Sequence, residues 1–117
     1  MGTLDRGRIT LNDTDAVKAL AALAQGSRLA VFRLLVVAGP DGLSVGNIAQ
    51  ALGLPNATLS FHLKELVHAG LITSRQEGRY IFYSASIDRM NALVGFLTEN
   101  CCQGVPGLCE PASPRKC

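Results

Sequence analysis

The residues in this chain best suited to chemistry lie near its C-terminal end. There Glu99-Asn100-Cys101-Cys102-Gln103-Gly104-Val105-Pro106-Gly107-Leu108-Cys109 places three thiols within nine residues. Thiolates are soft donors and select soft ions. Gly104, Pro106 and Gly107 favour the tight turn that would carry Cys109 back to the adjacent pair. Three thiolates satisfy trivalent arsenic, which holds a pyramid of donors with its lone pair opposite. Zinc in a structural site takes four ligands, so it would have to recruit Cys117 or a donor from a second copy of the chain. A disulfide joining Cys109 to Cys101 or Cys102 is a third chemistry open to clustered thiols. By donor count arsenic fits first, zinc second and the redox pair third.

No cysteine occurs in the first 100 residues, whereas a framework of structural disulfides would spread its thiols along the chain. The opening Met1-Gly-Thr-Leu-Asp-Arg-Gly-Arg lacks the apolar core of an export signal, and no run of 18 apolar residues follows. The expectation is a cytoplasmic protein without a membrane partner, in the reducing compartment where thiols bind metals or catalyse. At 117 residues, 48% hydrophobic and 17% charged, the chain is one folded domain for which dimerisation would add useful burial. A net charge of +2 does not by itself point to nucleic acid, so the placement of charge has to decide. No nucleophile–base grouping stands out, and the chain is expected not to be an enzyme. The nearest enzyme class is a thiol oxidoreductase, but Cys-Cys and Cys-x6-Cys differ from the C-x-x-C of that chemistry. A thiol-rich metal buffer would bind the ion and show no affinity for DNA.

The elements that would position these thiols are mostly helical. Thr14 or Asp13 can cap a helix over about 15–25, with Val17, Leu20, Ala21 and Leu23 at helical spacing. Ser27 can cap a second helix carrying Leu29, Phe32, Leu35 and Val36, stopped by Gly39-Pro40. Ser44 caps Val45 to Leu52, and Gly53-Leu54-Pro55 ends that helix. Asn56 then caps a fourth helix to Ala69, with Leu59, Leu63, Leu66 and Val67 in one arc and Thr58, Phe61, Lys64, Glu65 and His68 opposite. Two β-rich runs, Leu71–Arg75 and Arg79–Tyr83, turn through Gln76-Glu77-Gly78. Ser86 caps a last helix, with Met90, Leu93, Val94 and Leu97 on one stripe, that runs into Cys101. The order α-α-α-α-β-β-α is mainly α with a small β-hairpin. It divides into a domain over 1–100 and a cysteine-rich tail over 101–117.

A short helix, a Gly turn and a second helix with a polar outer face make a helix-turn-helix, and the hairpin after it adds a wing. Asn56, Thr58 and Ser60 can donate to phosphates or base edges, and Lys64 can pair a phosphate. Phe61 lies opposite the apolar stripe, where it either touches thymine methyls or packs beneath the wing. His62 reads as a helix-flank or DNA-facing residue. Arg75 and Arg79 flank the hairpin tip and either reach phosphate or a minor groove, or are simply solvated.

The run Leu59-Ser60-Phe61-His62-Leu63-Lys64-Glu65-Leu66-Val67-His68-Ala69-Gly70-Leu71, with Glu77-Gly78-Arg79-Tyr80 and Tyr83 after it, closely resembles the ArsR (ArsR/SmtB) family of metalloregulatory repressors. The likeness spans about residues 15–100. It implies a winged-helix homodimer that binds double-stranded DNA at an inverted repeat and lets go when an inducer binds. The first and last helices would form the dimer interface, through Val17, Leu20, Met90, Leu93, Val94 and Leu97. Many members sense metal through cysteines at the start of the helix-turn-helix, but Ser44, Val45, Gly46 and Asn47 stand there in this chain. Others bind zinc on the last helix, where this chain has Asp88 and Glu99 and no histidine. An arsenic-responsive subgroup carries adjacent cysteines after the last helix and a third several residues on. Cys101, Cys102 and Cys109 follow that pattern, with arsenite or antimonite as the inducer.

Overall fold

The computed structural model describes residues 11–99. Cys101, Cys102, Cys109 and Cys117, and with them the whole tail, lie outside the described residues. The chain forms α1 (Asp13–Leu23), α2 (Gly26–Ala38), β1 (Leu43–Ser44), α3 (Val45–Leu52), α4 (Asn56–His68), β2 (Ile72–Glu77), β3 (Tyr80–Ala85) and α5 (Ile87–Leu97).

The core gathers between the helices and one face of the sheet. Its largest fully buried side chains are Val31 and Leu35 of α2, Ile48 of α3, Leu59, Leu63 and Leu66 of α4, and Leu71 and Ile72 at the start of β2. The buried residues of α1 are alanines, Ala16, Ala19 and Ala22, at spacings of three, with Leu23 partly buried at its end. These small residues let α1 lie close on α2 and α4. The expected stripe of α1 is divided: Val17, Leu20 and Ala21 face out of the protomer, and Leu23 packs partly buried against the core.

The helix ends follow local chemistry, with three differences from the sequence reading. Asn12, rather than Thr14 or Asp13, caps α1, its side chain accepting the Asp15 N–H at 2.8 Å. Gln25, rather than Ser27, caps α2 by accepting the Arg28 N–H at 3.0 Å. At α4 the cap position falls on Pro55 with no side-chain hydrogen bond, so Asn56 is the first helical residue. Ser44 and Ser86 cap α3 and α5 as expected. Gly53 closes α3 in the left-handed region at φ 67°, and its N–H reaches the Ala49 carbonyl at 2.8 Å.

The sheet corrects the expected order α-α-α-α-β-β-α, because it has three strands arranged β1-β3-β2, all antiparallel. β1 pairs Leu43 with Tyr83 and Ser44 with Phe82, tying the start of the helix-turn-helix to the wing. Gly42 makes this possible: its φ is 73°, and a Cβ there would run into the Tyr83 carbonyl. The hairpin is tighter than expected. Glu77 pairs with Tyr80, so the turn is Gly78-Arg79 and Gln76 and Glu77 belong to β2. Among the described residues no single helix is long and apolar enough to cross a membrane.

Candidate nucleic-acid interface

α3, the Gly53-Leu54-Pro55 turn and α4 form a helix-turn-helix. α4 buries Leu59, His62, Leu63 and Leu66 and turns Asn56, Thr58, Ser60, Phe61 and Lys64 outward. Five of the expected DNA-facing residues are therefore exposed along the helix. With no capping bond to make, the Asn56 side chain is available for that role.

His62 is corrected. It is 7% exposed, and Nη1 of Arg28 lies 3.4 Å from its Nδ1. A guanidinium only donates, so Nδ1 is the acceptor in this contact. Nε of the same Arg28 donates to the Ala22 carbonyl at 2.8 Å. One arginine of α2 thus holds the end of α1 and the middle of α4 together. Position 62 lies in the same arc as Leu59, Leu63 and Leu66, so the helical wheel alone could have marked it as buried. Arg28 carries no comparable signal, being 34 residues away in sequence.

Phe61 is 54% exposed, and its ring meets that of His62 edge-on, with centroids 5.8 Å apart and planes at 60°. Of the two places expected for it, the structure gives the outward one. Lys18, Arg28, Glu65 and His68 border a cleft of about 400 Å³ between α1 and α4, on the flank of the same helix.

The wing divides its two arginines. Arg75 is held, its Nε donating to Glu77 at 2.7 Å and its Nη2 to the Asp41 carbonyl at 3.2 Å, with the guanidinium 5.2 Å from the Phe82 ring centroid. An exposed pair such as Arg75–Glu77 contributes little stability; the bond to Asp41 is the one of the three contacts that ties the hairpin to the loop before β1. Arg79 stands exposed in the turn itself, at the end of the wing.

α1 also packs against α5. Val17, Leu20, Val94 and Leu97 there are exposed, Val17 by 65% and Leu97 by 57%. Leu93 is corrected, since it is buried in the protomer's own core and is not available to a partner. Met90 is partly buried against the same core. Among the described residues no three His, Cys, Asp or Glu side chains come together as a metal site.

Residues 23–75, from the end of α1 into β2, match the family model of a helix-turn-helix domain. The chain is 34% identical over 92 residues to the transcriptional activator HlyU of Vibrio cholerae, covering 79% of this chain and 82% of HlyU. The HlyU structure has a TM-score of 0.60 at 33% identity, over 76% of this chain and 97% of that one. The homodimeric winged helix-turn-helix domain of Mb0332 from Mycobacterium bovis, described as a possible ArsR-family transcriptional regulator, also scores 0.60, at 29% identity over 80% of this chain and 86% of its own. The chain belongs to the ArsR family. Within it, a putative arsenical resistance operon repressor of Halobacterium salinarum is 32% identical over 71 residues, 61% of this chain and 54% of that protein. This ArsR-family chain is a DNA-binding transcriptional regulator with the winged helix-turn-helix fold. Its α4 stands where such folds place the helix that enters the major groove.

Proposed function

We propose that the protein is a homodimeric repressor of an arsenic-resistance operon, leaving an inverted-repeat operator when Cys101, Cys102 and Cys109 capture trivalent arsenic or antimonite. The observation that carries this reading is where the thiols fall in the chain. α5 ends at Leu97, four residues before Cys101, and α5 shares with α1 the exposed apolar face of Val17, Leu20, Val94 and Leu97. That face, covered by a second copy, makes the dimer; the homodimeric state of the Mycobacterium bovis relative supports it. The donor set supports the ion, because three thiolates complete the coordination of trivalent arsenic without histidine or water. The halobacterial relative named for arsenical resistance supports the same reading.

The mechanism follows from distance. A winged-helix dimer holds its two reading helices about 34–36 Å apart to meet successive major grooves. Ion capture immediately beyond α5 acts on a helix that borders the partner, and a small change there shifts that spacing. A coupling of ~1–3 kcal/mol lowers DNA affinity about 5–150-fold.

Anaerobic titration of the reduced protein with arsenite tests the proposal. The expected result is one arsenic per protomer, three thiols lost to alkylation, and release of bound DNA over the same range. Cys102→Ser should bind DNA normally and no longer release it. Tight zinc uptake or ready disulfide formation, with no arsenic bound, would replace this reading with a zinc-responsive or redox-responsive regulator.

A further inference from the structure

We infer that Phe61 is a specificity-determining residue, a preset apolar contact for the 5-methyl group of thymine in the major groove. The inference rests on the DNA-binding reading of α4 and is independent of arsenic.

Phe61 belongs neither to the core, which α4 meets through Leu59, His62, Leu63 and Leu66, nor to the apolar face of α1 and α5. It stands half-exposed on the outward surface of α4 among Thr58, Ser60 and Lys64, all polar and all exposed. Apart from its edge contact with His62, this large aromatic leaves more than half of its surface open within a polar surface. The hydroxyls of Thr58 and Ser60 and the ammonium of Lys64 can meet a nucleic-acid groove, while Glu65, four residues on, is partly buried at the cleft beside α1.

The ring is also held in place. Its edge contact is with His62, which is buried and met by Arg28, and Arg28 is itself bonded to the last turn of α1. Residues from α1 and α2 thus fix the surface against which Phe61 rests. A side chain ordered before binding gives up less rotamer freedom when the groove closes on it.

The chemistry of the groove selects thymine. Base edges in the major groove present hydrogen-bond donors and acceptors, and the thymine methyl is their one apolar projection. Phe61 offers nothing to a donor or acceptor. Against the other edges its ring displaces water from polar groups without replacing the hydrogen bonds; against the methyl it gains contact.

The test uses the full chain and a DNA site selected by it from a random pool. Thymines are then replaced one at a time by deoxyuridine, which lacks only the methyl. We expect one position in each half-site to weaken binding about fourfold, the size of burying one methyl group. In Phe61→Ala the same replacement should have no effect. Deoxyuridine tolerated by the wild type at every position would overturn the inference, as would an equal penalty in Phe61→Ala. Should Phe61→Ala bind too weakly to measure, selection repeated with Phe61→Asn, a polar side chain, should return pools without the thymine preference at that position; an unchanged preference overturns the inference. Failure of the wild type to retain any DNA from the pool would instead sink the DNA-binding reading itself.

Discussion

The outward face of α4 and the face shared by α1 and α5 both leave large apolar side chains in water, but in different company. Val17, Leu20, Val94 and Leu97 are aliphatic and come from two helices packed side by side, whereas Phe61 is a single aromatic among hydroxyls and a lysine. Exposed aliphatic side chains on two helices in contact are best covered by their own kind, as in the core of a subunit interface. An isolated ring beside hydroxyls and a lysine suits a surface that is itself polar and negatively charged. The arrangement behind each face differs as well. Behind α4 lies the Arg28–His62 contact, a polar tie in an otherwise apolar core; behind the other face lie alanines and Leu93.

The comparison breaks most visibly at the aliphatic face. Val94→Asp should leave the protomer folded, since the side chain is exposed, yet prevent dimerisation, because an unpaired charge in a closed interface costs several kcal/mol. Sedimentation should show monomers at concentrations where the wild type is dimeric, with DNA affinity reduced at least about a hundredfold. A dimer of unchanged strength would remove this face as the interface.

Arg28→Met tests the tie. Leaving buried His62 without its partner should lower stability by about 1–3 kcal/mol, read by urea unfolding. DNA affinity should fall further than the lost stability explains, because α4 loses its anchor to α1. Unchanged unfolding would mean that the contact carries no weight.

Lys64→Ala should weaken binding by a similar factor on every DNA sequence and lower the slope of log affinity against log salt by about 1. A change confined to one base position would make Lys64 a base reader instead. The smallest effect separates the two ends of the helix-turn-helix. Ser44→Ala should cost about 1 kcal/mol, because Ser44 accepts the Asn47 N–H at the start of α3. Asn56→Ala, which loses no cap, should change stability by less than about 0.5 kcal/mol while still reducing DNA affinity. Equal losses in the two thermal scans would restore Asn56 as a cap.

Much of this was legible in the residues themselves wherever the controlling interactions are local. Ser44 and Ser86 at helix starts, Gly39 and Gly53 at helix ends, and the four-residue spacing of Leu59 and Leu63 act within a few residues of where they stand. The helix-turn-helix, the wing and the outward position of Phe61 follow from them. β1 was not legible, because two residues become a strand only when β3 lies alongside. Nor was the choice of turn, which the pairing of Glu77 with Tyr80 sets across the hairpin.

The pattern of apolar residues determined that α1 and α5 are amphipathic, but tertiary packing decided which side faces inward. The space beside α2 and α4 admits the alanines of α1, and Leu93 of α5 is drawn into the core while Val94 and Leu97 stay outside. Likewise, residue types alone left His62 and Arg75 as candidate DNA contacts. Burial beside Arg28 takes the first out of the interface, and the bonds to Glu77 and Asp41 hold the second against the wing. Helix and turn propensities act over one or two turns of chain, whereas a contact across 34 residues exists only after the chain has folded.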